Sequence, residues 1–218
     1  MRPAPLWLRL AFTAWVAVWI PSYAAYYGPA AFLWFCDLGN LQILAALWTG
    51  RAILWSWAAV SVLLVQLAWC VDALGRLCFG VHPIGGTEYL WSPNIPLGIR
   101  LLSLFHAVAP PLLLWGLARH GYDRRALRWQ VATAWILLPL CWFVTPPAMD
   151  INWVYGPFDG VQTRIPAWAY LLICMAAYPV LLHLPTHLIL KRIFRDASGG
   201  RTSAGPGSPT PGAASPPP

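Results

Sequence analysis

Long apolar runs begin near residues 7, 30, 52, 97, 126 and 166, and basic residues crowd into alternate connections between them. Each run is long enough to cross a hydrocarbon core of about 30 Å. With the N-terminus placed in the cytoplasm, eleven of the fourteen Lys and Arg residues fall on the cytoplasmic side of a six-helix threading. They are Arg2 and Arg9 before the first span, Arg51 after the second, Arg119, Arg124, Arg125 and Arg128 after the fourth, and Lys191, Arg192, Arg195 and Arg201 after the sixth. Arg76, Arg100 and Arg164 stay outside. Short loops rich in Lys and Arg resist translocation, so this bias predicts both the number of spans and their direction.

The expected fold is therefore all-α: a polytopic membrane helical bundle of six transmembrane helices, both termini cytoplasmic, in a membrane of the bacterial cytoplasmic (inner) type. The spans are expected over about 6–26, 30–49, 52–72, 97–118, 126–145 and 166–194. Residues 1–196 form the membrane domain, and residues 197–218, rich in Gly, Ser and Pro, read as a disordered cytoplasmic tail. Arg2, Arg9 and the small residues Ser22 and Ala24 also fit a cleavable signal peptide. Cleavage after Ala24 would leave five spans in the same orientation. A retained first helix is the reading adopted, because its run carries Trp and Tyr suited to a membrane interface.

Composition excludes a soluble domain: 59% of residues are hydrophobic and only 10% charged, against about a quarter charged in soluble domains. The net charge of +7 lies on loops of one face, which points to anionic lipid and membrane topology, with membrane lipids as partners and not nucleic acid. Cys36, Cys70, Cys78, Cys141 and Cys174 form no CxxC pair and no zinc spacing. His183 and His187 share a helical face, but Pro185 distorts it and no third ligand accompanies them, so no metal or cofactor is expected. Pro110-Pro111 is expected to kink or break the fourth helix.

Ionisable and amide groups inside a bilayer are costly, which makes each a functional candidate. At 1.5 Å per residue, Cys36 and Asp37 lie about 10 Å below the outer end of the second span, Gln66 about 9 Å from that of the third, and His106 about 13 Å from that of the fourth. Asn40 follows Asp37 on the same face. These groups gather in the outer half of the bilayer, below a loop bearing Asn152, Trp153 and Tyr155, as the polar lining of a pocket does. A histidine that takes the proton of a thiol, oriented by a carboxylate, is what a nucleophilic cysteine needs. The same groups also fit plain interhelical bonding, with Asp37 paired to Arg100 or His106. The outer segment with His82, Gly85-Gly86 and Glu88 reads as a plain loop more readily than as a lid.

Three stretches carry a family resemblance: Phe35-Cys36-Asp37-Leu38, Leu104-Phe105-His106 followed by Pro110, and Asp150 to Tyr155 followed by Gly156-Pro157. Over roughly residues 30–190 the chain resembles the YwaF-type integral-membrane proteins of bacteria and their eukaryotic relatives, which include an acyltransferase that builds ether phospholipids. Trp34 and Phe35 stand where the bacterial pattern often has a histidine. The resemblance implies Cys36 as acyl-accepting nucleophile, His106 as its base, Asp37 as a tuning or orienting group, and Asn152 or Tyr155 as donors to the developing oxyanion. Asn40, Gln66 and Trp153 complete the expected substrate site. Two functions stand side by side: phospholipid acyl transfer through the Cys/His pair, or a non-enzymatic accessory subunit or small-molecule carrier.

Overall fold

A computed structural model of the protein describes residues 3–157 and 160–197. Arg2 and the expected tail from residue 198 onward lie outside the described residues. The fold is an all-α bundle built from α1 (Leu6–Tyr27), α2 (Phe35–Thr49), α3 (Ala52–Phe79), α4 (Leu97–Leu102), α5 (Phe105–His120), α6 (Ala126–Val144), α7 (Ala167–Ala177) and α8 (Leu184–Ile193). A π-helical turn, Tyr178–His183, joins α7 to α8. Among the described residues, five helical segments are long and apolar enough to cross a membrane: α1, α3, α4 with α5, α6, and α7 through α8.

The second expected span, over about 30–49, differs in form. It is a 3-10 turn over Pro29–Leu33, an extended Trp34, and then the 15-residue α2, only about 22 Å of α-helix. Trp34 breaks the run by adopting extended backbone, so the N-terminus of α2 opens inside the bundle. Irregular backbone at that depth is tolerable where it lines a cavity or finds partners in protein.

α3 is the hub, packing against α2, α5, α6 and α8. It runs seven residues past the expected end at 72 and stops where Gly80 turns left-handed at φ 75°. Its closest approach is to α5. Trp55, fully buried, lies against Gly116, where an added Cβ would meet the indole at 2.3 Å. Trp115 and His120 hold the same indole edge-on and stacked. Gly116→Ala is therefore expected to cost about 1–3 kcal/mol through overpacking, read as a lower melting temperature in detergent; an unchanged melt would show that Trp55 can move aside.

The prolines act differently from expectation. Helix α5 runs unbroken through Pro110-Pro111. The break falls upstream at Ser103 and Leu104, where His106 and Ala107 donate to carbonyls three residues back and the Ser103 hydroxyl bonds the Arg100 carbonyl. Pro110 has no N–H for the His106 carbonyl, and the Cys70 thiol takes that acceptor instead. Pro179 likewise frees the Met175 carbonyl, which receives the Trp135 indole N–H at 3.0 Å.

Both described chain ends lie at one end of the bundle. The Ala4 N–H donates to the Leu47 carbonyl, Asp123 N–H to the Ser56 hydroxyl, and Tyr122 N–H to the Arg195 carbonyl. This end carries the basic connections. At the surface, Arg125 clasps the Asp123 carboxylate and holds it below the usual carboxylate range.

Candidate functional site

Opposite the basic end, the bundle encloses a cavity of about 570 Å³. Its chemistry comes mainly from two elements. The first turn of α2 supplies Cys36 and Asp37, and the start of α5 supplies His106. Trp153 also lines it, as do rings from α1, α3 and the α3–α4 connection. Asn40 and Gln66 do not. Both are fully buried away from the cavity, and their amides take no hydrogen-bond partner among the described residues.

The orientation of His106 follows from its contacts. Its Nδ1 sits 2.8 Å from the Ser103 carbonyl, so Nδ1 carries the proton of the neutral ring and Nε2 keeps its lone pair. The ring is stacked between Trp69 and Phe105, with centroids 4.9 and 4.0 Å away. The Ser103 carbonyl, and not the Asp37 carboxylate, therefore orients this imidazole. Asp37 also misses the other partner that the sequence offered: Arg100 donates to the Leu90 carbonyl in the α3–α4 connection. Cys36 and His106 share the cavity without a hydrogen bond between them.

Asn152 lines the cavity and Tyr155 does not, and the side chains of both are hydrogen-bonded to backbone. The Asn152 side chain reaches the break before α2, accepting from the Phe35 N–H at 3.0 Å and donating to the Leu33 carbonyl at 2.8 Å. Its amide nitrogen also lies 3.4 Å from the Cys141 sulfur. These donors are spent on fixing the turn that presents Cys36. The Tyr155 hydroxyl faces the carbonyls of Trp142 and Thr145 at the end of α6, and burial raises its pKa. It closes a helix terminus and does not line the cavity.

Holding Asn152 in place takes an uncommon backbone. Asp150, Asn152 and Trp153 have φ of 36°, 55° and 52°, a region that costs side-chain-bearing residues, least for Asp and Asn. The segment is pinned by the Asp150 carboxylate on the Tyr155 N–H and by the Tyr178 hydroxyl on the Asn152 carbonyl.

The connection between α3 and α4 is the roof. Ile84, Gly85, Gly86, Tyr89 and Ile95 all line the cavity, so the segment read as a plain loop covers the site. One buried carboxylate latches it. Asp72 Oδ1 accepts the N–H groups of Ile84 and Gly85 at 2.8 and 2.7 Å, while Oδ2 receives His82 Nδ1 and the Thr87 hydroxyl. Tyr89 accepts the Trp69 indole N–H at 3.0 Å, and burial pushes its hydroxyl up to about 12, so it stays protonated.

His183 and His187 point to separate partners, Gln130 and the Tyr122 hydroxyl. Tyr23, Tyr27, Trp69 and Tyr89 were not singled out by the sequence, where their rings read only as interface anchors. Comparison with known proteins finds no matching family model, no matching curated protein and no matching solved structure.

Proposed function

We propose that this multi-pass membrane protein transfers acyl chains between lipids, with Cys36 as acyl acceptor and His106 Nε2 as base. The observation that carries the reading is that a thiol and an unprotonated imidazole nitrogen, set on two different helices, share one largely apolar cavity. Apolar walls with a few polar groups suit a lipid chain better than a soluble metabolite. The resemblance to the YwaF-type proteins and their acyltransferase relatives agrees with this chemistry. Positive-inside bias then sets the basic end in the cytoplasm and the roofed cavity toward the opposite leaflet of a bacterial-type inner membrane.

The step balances as ordinary acyl transfer. His106 Nε2 takes the thiol proton, the sulfur attacks the ester carbonyl carbon, and the ester C–O bond breaks. The imidazolium returns its proton to the departing alkoxide, leaving a thioester on Cys36 and a lyso-lipid. A second lipid hydroxyl, deprotonated by His106, attacks the thioester and restores the thiol. Proton transfer requires Cys36 and His106 to close to hydrogen-bond distance when the ester binds.

The test is a lipid with an alkyne-tagged acyl ester, incubated with the purified protein in nanodiscs. Wild type is expected to form a hydroxylamine-labile adduct at Cys36, with none in Cys36→Ser. His106→Ala should slow adduct formation by about 10²–10⁴-fold, the scale of a lost general base. Acyl exchange that continues undiminished in Cys36→Ser overturns the reading.

The missing bond between Cys36 and His106 favours one second reading, a carrier or accessory protein that holds an amphiphile without chemistry. Under that reading no thioester forms, and Cys36 reacts with maleimide no faster than Cys70.

A further inference from the structure

The proposed lipid chemistry leaves one cavity group without a task, the carboxylate of Asp37. This side chain is 4% exposed and lines the cavity, yet it makes no hydrogen bond or ion pair among the described residues. A carboxylate withheld from water needs a counter-charge or a proton. The lining holds no Lys or Arg, and its one imidazole, His106, is bonded to Ser103 instead. Asp37 therefore has no cationic partner in the lining, and an incoming cation would be the first counter-charge it meets.

What surrounds that point is aromatic. Tyr23 and Tyr27 of α1 lie within electrostatic reach of Asp37 and pack edge to face, centroids 5.2 Å apart. Trp34, Trp69 and Tyr89 line the same cavity from three further segments. Ring faces attract cations, and most of all weakly hydrated ones that shed water at little cost. A phosphate or carboxylate placed here would find no positive side chain and would meet Asp37. A neutral group would bring Asp37 no counter-charge.

Resting on the reading of the cavity as a lipid-ester site, we infer that the bound molecule carries an organic ammonium group, trimethylammonium above all, held by Asp37 within the cage formed by Tyr23, Tyr27, Trp34, Trp69 and Tyr89. The ammonium neutralises Asp37, and its methyl groups meet the rings. Asp37 becomes a specificity-determining residue and takes no part in proton transfer. It also fixes where the ester lies, since Cys36 and Asp37 are adjacent in one helical turn.

The experiment compares decanoylcholine with 3,3-dimethylbutyl decanoate, the same ester with a carbon in place of the charged nitrogen. Binding is followed by quenching of intrinsic tryptophan fluorescence in full-length Cys36→Ser protein, which removes turnover. Decanoylcholine is expected to bind about tenfold more tightly or better, as desolvated ammonium–ring contacts and a paired carboxylate imply. Asp37→Asn should erase the preference, and Tyr27→Leu, which leaves the charge in place, should reduce it several-fold. Equal binding of the two esters overturns the inference, and this comparison needs no variant at position 37. Tetramethylammonium and sodium decyl sulfate complete the series. Tetramethylammonium that competes as well as decanoylcholine identifies a free cation as the source, whereas competition only by the chain-bearing cation identifies a lipid headgroup. Preferential binding of the sulfate overturns the inference. Because the thiol is absent, failure here is separable from failure of acyl transfer. A Cys36 thioester without ammonium preference sinks this inference alone, and ammonium preference without a thioester sinks the acyl-transfer reading alone.

Discussion

Replacing Asp72 with Ala is expected to release the roof of the cavity. Two backbone N–H groups, one hydroxyl and one imidazole converge on this fully buried carboxylate. Truncation strips the Ile84 and Gly85 N–H groups of their acceptor and leaves His82 and Thr87 only each other, 3.1 Å apart, and a buried donor without a partner costs about 1–3 kcal/mol. Losing the two backbone partners alone comes to about 2 kcal/mol or more, above what a short surface loop can absorb. The measurable result is protease cleavage between residues 82 and 95 and faster reaction of Cys36 with a membrane-impermeant maleimide. Asp72→Asn is expected to behave close to wild type. Its oxygen can keep Ile84 and Gly85, its amide can donate to Thr87, and His82 can change tautomer. A protease-resistant Asp72→Ala protein would show that the roof is held by its apolar contacts and not by the latch.

Asn152→Ala should do the second-largest damage, and at a distance in sequence from the thiol it supports. The substitution strands the Phe35 N–H and the Leu33 carbonyl inside the bundle, at an expected cost of about 2–4 kcal/mol. It also sets Ala at φ 55°, which adds about 1 kcal/mol. If Cys36 is the nucleophile, loosening its turn should lower the acylation rate by about 10²-fold, the effect of an ångström-scale misplacement. Asn152→Gly separates the two causes. Glycine relieves the φ but restores no bond, so recovery by Gly would assign the loss to backbone strain, and a Gly variant as poor as Ala would assign it to the lost partners. Asn152→Asp should fall between, keeping the acceptor for Phe35 while losing the donor to Leu33.

The bundle was legible because its signals are long-range and redundant. Some twenty apolar residues per span and a one-sided charge bias survive any local irregularity. What hydropathy did not show was how polar groups are satisfied. Residue 72 is the expected end of the third span, yet loop donors satisfy the Asp72 carboxylate and α3 continues to Phe79. Pro110 and Pro111 signalled a break, but the carbonyl freed at His106 found Cys70, and the helix held.

The same rule divides the site. Depth arithmetic along three spans sufficed to bring Cys36, Asp37 and His106 to one cavity, since rise per residue is nearly invariant. It did not separate Asn40 and Gln66, which lie at comparable depth but behind the cavity wall. Nor did spacing reveal that the amide of Asn152 and the hydroxyl of Tyr155 are already engaged, because their partners sit on α2 and α6. The aromatic cage was hidden by its own composition: in a chain with 15 Trp and 8 Tyr, five more rings carry no distinguishing mark.

The bond from Asn152 to Phe35 spans 117 positions, which sets an order on biosynthesis. A ribosome delivers the second helix long before the residue that seals its first turn exists. Until the last third of the polypeptide has been threaded into the bilayer, that turn must wait with a backbone donor unmet. The thiol is therefore among the earliest chemical groups to reach the membrane and among the last to acquire its final pose.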